Sequence, residues 1–168
     1  MGKTSYPIST HFSFTAISIK NKNRASIENY EIKISNQNLK LNSVSMGNPH
    51  TVIFVNNLEN IKLAEWGKII ENMKLFPEKT NVEFIQILNS NKIKMKVWER
   101  GSGITLSCGT GACAAAAVGI KKNLIKNPVE VILPGGKLQI EWKNFKAPIK
   151  MTGNAETIFT GKYLKEVI

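Results

Sequence analysis

An α/β domain of the α+β kind is the fold this sequence predicts. A curved, mainly antiparallel sheet is expected to wrap a central alanine-rich helix, with one further helix outside. Three observations predict it. Many short segments alternate apolar and polar residues between turn residues. Only two segments show helical spacing. One of these, around Ala114-Ala115-Ala116-Ala117, is small and apolar on every side, which suits a helix closely surrounded by strands. The chain has 168 residues, enough for one domain with a real core over 1–168.

Residues 12–19, Phe-Ser-Phe-Thr-Ala-Ile-Ser-Ile, alternate as a strand. A polar loop with Lys20, Lys22 and Arg24 follows. Strands are expected from Tyr30 to Ile34 and from Leu39 to Ser45. Thr51 to Val55 is a short apolar run, read as a buried strand. Residues 58–75 read as a helix, with Trp66, Ile69, Ile70 and Met73 on one face and Pro77 beyond its end. Asn81 to Leu88 and Lys92 to Glu99 are strands joined by an Asn-Ser-Asn turn. The second helix runs from Ala112 to Ile125. Val129 to Leu133 and Lys137 to Trp142 flank Pro134-Gly135-Gly136, a hairpin signal. Ile149 to Leu164 reads as extended. The count comes to about nine strands and two helices.

Composition excludes several classes. The hydrophobic content of 42% is that of a globular protein, and there is no run long enough to span a membrane. The N-terminus lacks a signal peptide's basic and apolar regions, so the cytoplasm is the expected compartment. Cys108 and Cys113 are too few and too close for a disulfide framework. With His11 and His50 far away in sequence, no metal site is expected. The net charge of +11 is mostly lysine spread along the chain. Lys92, Lys94 and Lys96 alternate with Ile93, Met95 and Val97 as the wet face of one strand. A solvated basic surface accounts for this, and no nucleic-acid partner is expected.

The strongest chemical signal is Glu99-Arg100-Gly101-Ser102-Gly103-Ile104-Thr105-Leu106-Ser107-Cys108-Gly109-Thr110-Gly111. It puts Cys108 between a glycine-rich loop and a helix start. Unpaired N–H groups and the helix dipole there favour an anion, which is expected to make the thiol acidic. The Gly109 and Thr110 N–H groups can hold a carboxylate. A structural cysteine at a helix cap fits the same residues. The segment is not a Walker A loop, because no Lys-Ser/Thr follows. Glu99 and Arg100 can grip an ammonium and a carboxylate, or form a surface ion pair. In Met46-Gly47-Asn48-Pro49-His50, the Asn48 amide both donates and accepts, and His50 can move a proton; a plain turn fits too. Asn81 opens a strand, where asparagine is commonly a turn residue. Cys113 sits more than one turn into the helix and is read as core.

Taken together, Met46-Gly47-Asn48-Pro49-His50, Glu99-Arg100-Gly101-x-Gly103-x-Thr105 and Ser107-Cys108-Gly109-Thr110-Gly111-Ala112-Cys113-Ala114 resemble diaminopimelate epimerase. Leu133-Pro134-Gly135-Gly136 and Met151-Thr152-Gly153 fit in the same order. The resemblance implies an isomerase without pyridoxal phosphate or metal. Such an enzyme interconverts LL- and meso-diaminopimelate, for lysine and peptidoglycan biosynthesis, by proton transfer between two cysteines. By motif, Cys108 matches one catalytic cysteine, and His50 and Glu99 match residues that support catalysis. Asn48, Asn81, Glu99, Arg100, Gly109 and Thr110 match substrate-binding positions.

The family's other cysteine lies in a Cys-Gly-Asn-Gly motif of a first domain, and that motif is not present here. The chain therefore resembles a C-terminal half. Its missing N-terminal half is an expected partner, a homodimer is a weaker expectation, and residues from about 155 to 168 are a tail that returns to the absent domain. Thr51 stands where the family commonly has cysteine, and Asn154 where it has proline. A related racemase with another substrate, or a non-catalytic amino-acid- or partner-binding module, are the alternatives.

Overall fold

The computed structural model describes residues 8–10, 27–144, 147–154, 159, 161 and 162. Ten strands lie in one sheet: β1 (Ile8–Thr10), β2 (Tyr30–Ile34), β3 (Gln37–Ser45), β4 (Pro49–Phe54), β5 (Asn81–Asn89), β6 (Lys92–Glu99), β7 (Gly103–Thr105), β8 (Val129–Leu133), β9 (Gly136–Glu141) and β10 (Ile149–Gly153). Their order is β1-β10-β9-β8-β6-β5-β4-β3-β2, with β7 also paired to β6. The β4–β5 and β6–β8 pairs are parallel and the others antiparallel. The expectation of a mainly antiparallel sheet holds. The two parallel pairs each need a crossover, and the two helices supply them.

Helix α1 (Leu63–Glu71) joins β4 to β5, and α2 (Gly109–Lys121) lies between β7 and β8. The sheet separates two cores. Ile53, Val82 and Phe84 pack on the α1 side with Trp66 and Ile70. Their strand neighbours Val52 and Ile85 pack on the other side with the alanines of α2. This alternation is the period of two that strands impose. Ala112 and Ala114–Ala117 are wholly buried, and α2 touches β3, β4, β5, β8, β9 and β10. Methyl side chains let strands approach the helix from several sides, so the central alanine-rich helix is as expected.

The boundaries differ for identifiable reasons. The helix expected over 58–75 is interrupted. Leu58–Asn60 is a 3-10 turn capped by Asn57, whose Oδ1 accepts from the Glu59 N–H at 2.9 Å, and α1 ends at Glu71. Asparagines at 56, 57 and 60 favour such local turns over a continuous helix. Ile69, expected on the buried face, is 46% exposed; Gly67 and Glu71 join Trp66 and Ile70 there instead. Gly67 lets α1 approach β6 so closely that a Cβ would stand 2.6 Å from Trp98 Cβ. Helix α2 starts three residues early, with Cys108 as its extended N-cap. It stops before Asn123, whose φ of 57° ends it, while the Leu124 N–H returns to the Gly119 carbonyl at 2.9 Å.

The short strands β1 and β7 lie outside the expected set, and extended structure after Ile149 is described only to Gly153 in β10. The strand expected at 12–19, the basic loop after it, His11 and most of the tail at 155–168 lie outside the described residues. Among the described residues no helix is long and apolar enough to cross a membrane.

Candidate active site at the head of the alanine helix

Three strand ends converge at one end of the sheet. The parallel register pairs His50 with Asn81, where β4 and β5 begin, and β6 ends beside them at Glu99. The Asn81 amide ties these ends together. Its Nδ2 donates to the Pro49 carbonyl at 2.9 Å, and its Oδ1 accepts the Arg100 N–H at 2.9 Å. Asn81 is 4% exposed, so it is a buried staple rather than the exposed turn residue its type suggests.

After Glu99 the chain reverses in a tight turn. Gly101 and Gly103 hold φ of 77° and 81°, values that disfavour side chains with a Cβ. Glu71, at the end of α1, clamps this turn from below. It accepts from the Trp98 indole N–H at 2.7 Å and from the Gly101 N–H at 3.1 Å, and pairs with Lys79 at 3.7 Å. Burial opposes its charge, but these donors and Lys79 outweigh it and hold the carboxyl below its usual range. Thr105 on β7 donates to Glu99 Oε1 at 2.5 Å. The β8–β9 hairpin tip braces the next stretch, its Gly135 N–H donating to the Leu106 carbonyl at 2.8 Å.

Cys108 follows, 6% exposed, at the head of α2. Its sulfur accepts the Gly111 N–H and lies 3.7 Å from Thr110 Oγ1. The acidic thiol expected from the helix start is not what this environment gives. Burial pushes the Cys108 thiol up to about 11, and the charges of Glu83 and Glu99 add to that. The Gly111 and Thr110 donors pull the other way without prevailing. Cys113, 4% exposed in the α2 core, is pushed up to about 12 by burial, in keeping with its reading as a core residue. The first N–H groups of α2, at half-buried Gly109 and Thr110, have no acceptor within the helix.

His50 is fully buried on β4. Its Nδ1 lies 2.6 Å from Glu83 Oε1, and its Nε2 lies 3.1 Å from Oδ1 of half-buried Asn48. Glu83 in turn packs against the first turn of α2. A Cβ on Gly111 would sit 2.9 Å from Glu83 Oε1 and 3.2 Å from Cys108 Sγ.

The structure thus brings Asn48, His50, Glu99 and Cys108 to one cluster, beside the Gly109 and Thr110 amides. The Arg100 guanidinium donates to the Glu78 carbonyl at 2.9 Å. Glu83 and Glu71 were not picked out from the sequence. For Glu83 a signal exists, since a lone acid inside the apolar run Val82-Glu83-Phe84-Ile85 needs a buried partner. For Glu71 the helix pattern carries none. A cavity of about 660 Å³, lined by residues such as Asn29, Asn42, Asn57, Trp66 and Lys122, shares no residue with the cluster. The cluster lies at a face where Ile104 and Leu106 are 55% and 69% exposed. Among the described residues no group of three or more His, Cys, Asp or Glu is placed to hold a metal.

Comparison with known proteins gives these residues a context. The family model described as diaminopimelate epimerase matches residues 42–158. A diaminopimelate epimerase of Halothermothrix orenii is 57% identical over 136 residues, covering 81% of this chain and 47% of that protein. One from Prochlorococcus marinus is 46% identical over 140 residues, covering 83% and 49%. The chain spans about half the length of the curated relatives it matches. Among solved structures, a hydroxyproline epimerase from Agrobacterium vitis aligns with a TM-score of 0.59 at 13% identity, covering 76% of this chain and 46% of that one. A probable proline racemase from Agrobacterium radiobacter aligns at 0.56 and 15%, covering 83% and 50%. At these identities the likeness is one of fold.

Proposed function

The chain belongs to the diaminopimelate epimerase family, and from that premise we propose that it is the C-terminal, substrate-holding half of such an isomerase. It works on LL- and meso-diaminopimelate in the cytoplasm, on the route to lysine and peptidoglycan, without pyridoxal phosphate or metal. The observation that carries the reading is Cys108 at the head of α2, with the Gly109 and Thr110 amides, which have no acceptor within the helix, beside it. The substrate α-carboxylate takes those amides, where the helix dipole also stabilises charge developing at the α-carbon. Cys108, protonated at neutral pH because burial raises it to about 11, delivers a proton to one face. A cysteine of the N-terminal half removes the α-proton from the opposite face. The roles exchange in the reverse direction.

Glu99 stands near Cys108 to take part in its proton exchange, and half-buried Asn48 lines the approach with fully buried His50 behind it. Asn81 has one N–H left beyond its structural bonds for substrate, and Arg100 meets the far end of the ligand. The exposed Ile104 and Leu106 face is where the N-terminal half docks. Without that half the chain lacks one of two bases, a loss worth about 10²–10⁴ in rate, and one wall of the pocket. The isolated chain is expected to show little or no turnover.

Incubation with LL-diaminopimelate in heavy water, with and without the N-terminal half of a full-length relative, tests this. Deuterium at the α-carbon is expected only in the mixture, and not with Cys108→Ala. Ordinary turnover by the pure chain would overturn the half-enzyme reading. Calorimetric binding of diaminopimelate with no exchange in any mixture would select a non-catalytic binding module, which the burial of Cys108 favours.

A further inference from the structure

Glu71 is a carboxylate that the reaction above leaves without a role. It stands at the end of α1 with its side chain 5% exposed, and both of its oxygens are taken. Oε2 accepts the Trp98 indole N–H at 2.7 Å, and Oε1 accepts the Gly101 N–H at 3.1 Å. Those two donors bracket Glu99 and Arg100 in the chain. An amide of the same shape has a single accepting oxygen, so only a carboxylate satisfies both. Between them, the Arg100 N–H is held from the β5 side by Asn81 Oδ1 at 2.9 Å. The third contact of Glu71 reaches another segment. Lys79 Nζ lies 3.7 Å from Oε1, and the carbonyl of the preceding residue, Glu78, accepts the Arg100 guanidinium at 2.9 Å. One carboxylate thus ties the turn that roots the Arg100 side chain to the segment on which its guanidinium rests. Glu99 has a separate anchor, because Thr105 donates to its carboxyl at 2.5 Å.

We propose that Glu71 is a positioning residue for substrate selection: it holds the Arg100 guanidinium where a carboxylate at the far end of the ligand arrives. The ligand class it serves is an amino acid that carries a second, distal carboxylate, which a guanidinium grips in two-pronged fashion only when its own orientation is fixed. The effect on the ligand rests on the proposed function. The clamp on Arg100 does not, and the two are tested separately.

The chain has two arginines, so Arg24→Lys leaves Arg100 as the single guanidinium. Nitrogen-15 NMR of that full chain reads the Arg100 Nε–H, and hydrogen exchange reads the Gly101 amide and the Trp98 indole. An ordered Arg100 side chain is expected. Glu71→Gln should loosen it and speed exchange at one or both donors by about tenfold. A guanidinium equally ordered in parent and variant, or one already mobile in the parent, would overturn the clamp. In the complemented enzyme, Glu71→Gln should raise KM for diaminopimelate about tenfold with kcat within about twofold. On top of Arg100→Ala the same change should add nothing to KM, because it acts through the guanidinium. An unchanged KM, or a rise that persists in full without the guanidinium, would overturn the positioning role. Should circular dichroism show Glu71→Gln unfolded, Trp98→Phe removes one donor and keeps a ring, and the same NMR and kinetic outcomes decide. Absence of exchange in every mixture, including the parent, would instead refute the proposed function and leave the NMR result standing.

Discussion

Cys108 is governed by two opposing effects, and their balance sets its chemistry. The helix start and the Gly111 N–H favour the thiolate, while burial and the nearby carboxylates disfavour it more. The folded thiol, at about 11, thus ionises above its unfolded value of 9.0. The unfolded chain releases its proton first, so stability is intact below pH 9.0 and falls as pH rises toward about 11. Cys113, at about 12, acts in the same direction. Thiolate absorbance of Cys113→Ala should titrate near 11 when folded and near 9.0 in denaturant; coincident curves would refute the buried thiol. The cysteine's place in a functional motif is legible in the sequence. Its ionisation is not, because the sequence shows the helix start but not the two acids packed beside it. Asn81 teaches the same lesson. Its side chain bridges Pro49 and Arg100, contacts 32 and 19 residues away, and no local pattern marks it. Asn81→Ala should cost about 1–3 kcal/mol in urea denaturation, as two buried bonds lose a partner. No change in midpoint would argue against the staple.

The elements show where periodicity suffices and where it fails. Strand β6 was legible residue for residue, because Ile93, Met95 and Val97 alternate with lysines. Those lysines are not simply wet: Lys92 pairs with Glu130 at 3.0 Å, and Lys94 and Lys96 reach Glu59 at 3.3 and 3.2 Å. Periodicity misplaces the buried face of α1, because that face is defined by close approach, not by size. The small Gly67 and the polar Glu71 are inside, and Ile69 is out. Gly67→Ala should destabilise by about 1–3 kcal/mol, since the added methyl meets the Trp98 ring. Ala116→Leu in α2 should cost at least as much, because strands close on the helix from several sides. Denaturant midpoints test both, and a neutral result for Ala116→Leu would mean that the sheet gives way easily. Glu71 adds a pH signature. Its folded carboxyl lies below 4.5, so its contribution is present above that pH and lost as pH falls through the folded value. Glu71→Gln should flatten the acid limb of the stability profile.

At the scale of the whole molecule, the sheet divides the interior into two cores, and the cluster forms where strand ends from both meet the head of α2. Fold class and motif order were legible; what joins them was not, because β4 meets β5 in a parallel register across a helical crossover and β6 then joins β5 antiparallel. The exposed Ile104 and Leu106 sit beside this junction. In isolation the chain should self-associate with rising concentration, and Leu106→Lys should weaken that association. Analytical ultracentrifugation checks it, and a parent chain monomeric at every concentration would count against an apolar docking face. The Asn81 staple has a further use. The Arg100 amide proton is held by a side chain rooted in another strand, so it leaves for solvent only when the three strand ends come apart. Its exchange rate is therefore a clock for the opening of this end of the sheet, readable with no substrate or partner present.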